Sequence, residues 1–92
     1  MSKEELFVGW LNGRMAYYSS NEENFIFRLK KDLMLQVKGH FQREGWDKTY
    51  EWVKKQYEPL AVKYNKLAVN LASGYKECKD KMWSLEQKEV KK

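Results

Sequence analysis

The chain has 92 residues, a formal net charge of +5, one cysteine and one histidine. A single cysteine excludes an intramolecular disulfide, and Cys78 with His40 cannot make a zinc-binding cluster. No apolar run approaches the roughly 20 residues of a membrane span, and the first ten residues are charged where a signal peptide needs an apolar run. We therefore expect a cytoplasmic protein with no cofactor, no metal and no contact with a membrane.

Two capping-box patterns, S-x-x-E, predict where the first helices begin. The pattern at Ser2 predicts a helix over about 3–17, and the pattern at Ser20 predicts a second helix over about 21–43. Gly45 is the natural stop for the second helix, because glycine readily adopts the left-handed conformation that closes a helix C-terminus.

From residue 46 onward, apolar residues recur at steps of four and three, which alternate except for a repeated step of four between Leu71 and Tyr75. They are Trp46, Tyr50, Val53, Tyr57, Leu60, Tyr64, Leu67, Leu71, Tyr75, Cys78, Met82 and Leu85. This spacing places them on one face of a helix, so it predicts a single long helix over about 47–87, with Asp47 as its N-cap. Pro59 removes one hydrogen bond, but the apolar spacing continues through it, which favours a kink over a break. Such a helix would be about 60 Å long.

The predicted architecture is an all-α hairpin or bundle in which the two N-terminal helices pack along the long C-terminal one. It forms one domain, residues 1–92, with a frayed charged tail from about residue 88. Several apolar residues fall outside the main stripe and predict a second packing surface. They are Trp52, Trp83, Val62, Val69, Phe27 and Leu35. Three alternatives stay open for this surface: the first helix covers it, two copies pair through it as a dimer, or another protein binds it.

Catalytic chemistry finds little support in the sequence. Cys78 lies on the apolar stripe, where a free cysteine behaves as a small buried hydrophobe, and His40 lies on the apolar side of its helix. The carboxylates gather near helix starts, as caps do, and no phosphate-binding or calcium-binding loop motif occurs. We therefore expect no enzymatic activity.

A loose basic surface permits nucleic-acid binding as an alternative function. Its candidate residues are Arg28, Lys31, Lys38, Lys55, Lys63 and Lys66. The competing interpretation is that these charges only solvate the polar faces of the helices. The expected hairpin is similar in architecture to Rop-type hairpins, which dimerise and bind RNA across paired helices, and this analogy concerns architecture alone.

The leading hypothesis is a small interaction protein that binds another protein through an aromatic-rich helical face. Trp52 and Trp83 are its candidate anchors, with basic residues at the rim steering the encounter. The composition suits a phage or mobile-element accessory protein that inhibits a host factor. The alternatives are a nucleic-acid-binding protein and a structural homo-oligomer.

Overall fold

Helices joined by short connections make up the fold of the described part of the chain. The computed structural model describes residues 1–90, and within them the chain forms four helices. These are α1 (Lys3–Ser19), α2 (Phe25–Glu44), α3 (Trp46–Ala61) and α4 (Lys66–Val90). The predicted all-α class is confirmed for this part of the chain. A frayed tail was predicted from about residue 88, but α4 continues to Val90, and residues 91 and 92 lie outside the described residues.

Side-chain caps set the starts of α1 and α2. The Ser2 hydroxyl accepts a hydrogen bond from the Glu5 N–H at 3.1 Å, and the Glu5 carboxylate accepts one from the Ser2 N–H, so the first capping box is confirmed. The second is wrong, because Asn24 caps α2 instead, its Oδ1 accepting from two backbone N–H groups at 2.9 and 3.2 Å. The Ser20 hydroxyl donates to a carbonyl of the last turn of α1 at 2.7 Å, so it helps to end α1 and does not begin α2.

Gly45 alone connects α2 to α3. Its φ angle of 85° lies in the left-handed region that side chains disfavour, and its N–H donates to the Phe41 carbonyl at 2.9 Å. The predicted stop of α2 at Gly45 is therefore confirmed. Because α3 already begins at Trp46, Asp47 lies in the first turn of α3 and is not its N-cap.

The single long helix predicted over 47–87 is wrong. Helix α3 continues through Pro59 but ends at Ala61, and α4 begins at Lys66 after a short turn. The two helices pack against each other, so each half of the apolar stripe buries itself against the other half. The longest dimension of the molecule is accordingly 41 Å, well short of the length expected for an unbroken helix.

Helix α2 contacts all three other helices, and α4 is in contact with α1, α2 and α3. The buried core draws on every helix. Its members are Phe7, Leu11, Tyr18, Leu33, Met34, Val37, Trp46, Val53, Tyr75, Cys78, Met82 and Leu85. Gly74 brings α4 close to α2, since a Cβ atom at this position would lie only 2.8 Å from Leu33 Cδ1. The close approach of α4 to α2 and the packing of α4 on α3 thus form one core shared by all four helices.

Candidate functional site

The turn between α3 and α4 carries several exposed apolar side chains close together in the sequence. The Lys63 N–H donates to the Leu60 carbonyl at 3.1 Å, which closes the end of α3. Asn65 begins α4, because its Oδ1 accepts from the Ala68 N–H at 2.8 Å. Both interactions are local, so residues 62–65 need no contact with α1 or α2 to form a turn.

Four apolar residues at this turn, which we call the turn patch, face solvent. They are Val62, Tyr64, Leu67 and Val69, and their exposed fractions are 71%, 95%, 50% and 51%. Single exposed apolar residues are ordinary, but several within eight consecutive positions indicate an interaction site. Tyr64 and Leu67 were predicted to lie in the buried seam of a long helix, and that prediction is wrong because the helix ends before them.

The charged residues that neighbour the turn patch in the sequence are lysines. No acidic residue occurs between residues 59 and 76, and Lys63 and Lys66 are both exposed. Neither lysine forms an ion pair with another described residue, whereas Lys76 lies 2.7 Å from Asp80 Oδ2. Lys63 and Lys66 are therefore the two cations at this end that a partner could neutralise.

A shallow depression lies beside the turn patch, between α3 and α4, and we call it the α3–α4 depression. Its volume is about 230 Å³. It is lined by Tyr57, Leu60, Ala61, Lys63, Val69, Ala72, Ser73 and Lys76. The depression is thus mostly apolar, with Lys63 and Lys76 among its lining residues.

Trp52, one of the two predicted anchors, is half-buried between helices. Its indole stacks on the His40 ring with centroids 4.5 Å apart and an interplanar angle of 11°, and it meets the Tyr75 ring edge-on at 5.9 Å. His40 Nδ1 is held 2.9 Å from Oγ1 of Thr49, which is fully buried. Trp52 therefore joins α3 to α2 and α4, and little of its indole surface is free to contact a partner protein.

The other predicted interface residues do not form one surface. Val62 and Val69 belong to the turn patch, whereas Leu35 lies on α2 and is 58% exposed, and Trp83 lies on the second half of α4 and is 56% exposed. Phe27 is partly buried and packs against the rings of two tyrosines at the end of α1. Of the predicted interface residues, only Val62 and Val69 thus belong to the turn patch. Tyr64 and Leu67, which were not predicted as interface residues, complete it.

The six candidate nucleic-acid residues are also dispersed. The common face predicted for Lys55, Lys63 and Lys66 depended on a continuous helix, and these residues instead lie on α3, in the turn and on α4. Lys38 donates to Asn12 at 2.9 Å. Arg28 and Lys31 line a depression that also contains two acidic residues. Lys63 and Lys66 flank Tyr64 in the sequence, and Tyr64 is the most exposed aromatic residue among those described.

A polar cluster joins α4 to α1 and α2 through Arg14, Tyr18, Lys30 and Glu77. Glu77 Oε1 lies 2.6 Å from Arg14 Nη2, and Glu77 Oε2 accepts from the Tyr18 hydroxyl at 2.8 Å. The Tyr18 oxygen in turn accepts from Arg14 Nη2 at 2.7 Å, and Lys30 Nζ lies 3.8 Å from Glu77 Oε2. Burial, with the bond to Glu77, raises the pKa of Tyr18 to about 12. The cluster ties α1 and α2 to α4.

Cys78 is fully buried and donates to the Met34 sulfur at 3.5 Å. Burial raises the pKa of its thiol, so the reactive thiolate is disfavoured. His40 is engaged with Thr49 and Trp52, as described above. Each of the two residues that could carry nucleophilic chemistry thus has a structural partner of its own.

Sequence reasoning missed Tyr64 and Leu67 as surface residues. One signal for the turn was present: Asn65 is a good N-cap, and it follows a proline-containing helix end.

Comparisons with protein-family models, with curated proteins and with solved structures give no match for this chain. A membrane span would need a longer or more apolar helix than any within residues 1–90.

Proposed function

We propose that this protein acts by binding another protein through the turn patch. The observation that carries the proposal is the exposure of Val62, Tyr64, Leu67 and Val69 within eight consecutive positions, whereas the other exposed large apolar residues are spread over the N-terminus, α1, α2 and α4. An exposed tyrosine among aliphatic side chains is typical of binding hot spots, because a ring supplies contact area at a small cost in conformational entropy. Lys63 and Lys66 at the rim would steer an acidic partner towards the patch.

This proposal keeps the predicted class of function and changes its anchors. Tyr64 and Leu67 replace Trp52, because the Trp52 ring is covered by His40. An accessory protein that inhibits a host factor by covering part of its surface would need only such a patch, with no catalytic group. A phage or mobile-element accessory inhibitor is therefore the biological setting that we propose.

A dimer built from two turn patches is disfavoured by charge. A two-fold axis through the patch would bring Lys63 and Lys66 of one copy near the same lysines of the other, and like charges across an interface cost several kcal/mol. A homo-oligomer would have to use other exposed residues, such as Leu35 or Trp83. Light scattering at micromolar concentration tests that alternative.

Nucleic-acid binding is the second candidate, and one observation favours it. Tyr64 is 95% exposed and lies between Lys63 and Lys66, and a ring flanked by cations can stack on a base while the cations contact phosphates. Two lysines would neutralise only two phosphates, so affinity for a single strand would fall about tenfold between 50 and 200 mM salt. We therefore rank this function below protein binding.

Affinity capture from host-cell lysate, carried out before and after nuclease treatment, tests the proposal. The bait is the wild-type protein, the patch variant is Tyr64→Ser with Leu67→Ser, and the matched control is Leu35→Ser, which removes an exposed leucine elsewhere. We expect a protein that binds the wild type and the control and loses about tenfold or more in affinity for the patch variant. Equal capture by all three baits, or capture of nucleic acid alone before nuclease treatment, would contradict the proposal.

A further inference from the structure

The α3–α4 depression is large enough to hold one or two side chains of a partner protein. Pockets for drug-sized ligands and cofactors span roughly 300 to 1,000 Å³, and this one measures about 230 Å³. Its walls come from Tyr57 and Leu60 on α3 and from Val69 and Ala72 on α4. It therefore suits one or two apolar side chains of a partner better than a separate small molecule.

The depression lies between two packed helices, which limits the shape of what can enter it. Side chains of adjacent helices form ridges with a groove between them, and a third helix fits such a groove by placing its own ridge there. Recognition of this kind uses apolar residues at positions i, i+4 and i+7 of the entering helix. Val69 belongs both to the turn patch and to this depression, so one helix could contact the two together.

The positive charge around the α3–α4 depression favours some partner helices over others. Asp80 already pairs with Lys76 at 2.7 Å, while Lys63 and Lys66 have no acidic partner among the described residues. A helix with carboxylates beside its apolar stripe would satisfy both lysines, whereas a basic helix or a second copy of this chain would meet like charge. A nucleic-acid strand would gain only two cation contacts and leave the apolar walls of the depression unused.

Resting on the proposed function, we infer that the partner presents an amphipathic acidic helix. One apolar side chain of this helix enters the α3–α4 depression between Leu60 and Val69. Carboxylates beside that side chain pair with Lys63 and Lys66. The remaining apolar stripe covers the turn patch.

Two synthetic helical peptides of about 14 residues, or roughly four turns, test the inference. Both carry leucine at i, i+4 and i+7, and one has glutamates beside the leucines where the other has lysines. Binding is followed by amide chemical shifts of the labelled protein. We expect the acidic peptide to bind saturably, with shifts at Leu60, Val69 and Ala72, and at least about tenfold more tightly than the basic peptide.

Two test variants and one control separate the apolar part of the site from its charge. Val69→Trp places a large ring at the depression and should abolish the shifts, while Leu35→Trp, which adds the same ring on α2, should leave them unchanged. Lys63→Glu with Lys66→Glu should reverse the preference in favour of the basic peptide. Protection of the buried Cys78 thiol from alkylation verifies that each variant is folded.

The outcomes distinguish this inference from the proposed function. Equal binding of both peptides, no binding of either, shifts away from the depression, or tighter binding of single-stranded DNA or anionic vesicles would overturn the acidic helix. If the patch variant still loses its captured protein in those cases, protein binding stands and only the nature of the partner element is wrong. If that loss is also missing, both proposals fail.

Discussion

At the scale of single residues, the polar side chains between α1, α2 and α4 mostly pair with one another, and Arg14 Nε is the buried atom among them that has no hydrogen-bond partner within the described residues. Glu77 is the clearest case of this pairing, since Arg14 and Tyr18 each place a donor close to its carboxylate and Lys30 forms a longer ion pair with it. Each carboxylate oxygen thus already has a close partner within the protein. Tyr18 is 3% exposed, and its raised pKa gives the cluster a measurable signature.

The free energy of unfolding should decrease at alkaline pH because Tyr18 ionises. An unfolded tyrosine ionises near pH 10, whereas the folded pKa of Tyr18 is about 12. In the folded state the Tyr18 hydroxyl therefore keeps its proton to a higher pH than in the unfolded state. The stabilisation that results is fully present below pH 10 and is lost as the pH rises towards 12. The loss is at most about 2 to 3 kcal/mol.

Tyr18→Phe isolates this effect, because the variant cannot ionise at position 18 while every other tyrosine and lysine still titrates. Urea unfolding at pH 9 and at pH 11.5 should show a smaller decrease in the free energy of unfolding for Tyr18→Phe than for the wild type. At pH 9 the variant should be less stable by about 1 kcal/mol, since it loses two hydrogen bonds. An identical decrease in both proteins would show that Tyr18 keeps its ordinary pKa.

At the scale of helices, the decisive feature is the turn at residues 62–65. Helix α4 begins with Asn65 as its cap, and this cap acts where the predicted helix would have continued. A side-chain cap satisfies a backbone N–H that the first turn of a helix otherwise leaves free. The cap and the packing of α4 on α3 together favour the hairpin over the long helix.

Removing the cap should weaken α4. Asn65→Ala should lower the free energy of unfolding by about 1 kcal/mol, because the Ala68 N–H loses its acceptor. Asn65→Asp is the matched control, since it keeps an oxygen at the same place and adds a charge that the helix N-terminus favours. Chemical denaturation of both variants gives the comparison. Equal destabilisation by Ala and Asp would mean that the cap contributes nothing.

Apolar spacing predicted that these segments are helical, and it could not predict how many helices they form. Leu60, Tyr64 and Leu67 keep steps of four and three across the turn, so the pattern looks the same for one helix as for two. The difference lies in long-range packing of α4 on α3, which no local pattern encodes. The start of α2 shows the same limit, since Ser20 and Asn24 are both good caps and only the packing of the bundle decides between them.

At the scale of the whole molecule, folding α4 back on α3 creates both the core and the candidate site. The hairpin buries Tyr75 and Cys78 in a bundle 41 Å long, and it leaves the turn patch at one end. The sequence could therefore predict Val62 and Val69 as apolar residues outside the core. It could not predict Tyr64 as an exposed residue, or Trp52 as a half-buried one, because both depend on where the chain reverses.

The nuclear Overhauser effect between the Trp52 and Tyr75 rings tests this reversal most directly. In the hairpin the ring centroids are 5.9 Å apart, whereas 23 residues of unbroken helix would separate these positions by about 35 Å. We expect cross-peaks between the indole protons of Trp52 and the ring protons of Tyr75 within one chain, together with non-helical backbone shifts at residues 62–64. The absence of these cross-peaks, with helical shifts running through residues 62–65, would contradict the hairpin and the turn patch together.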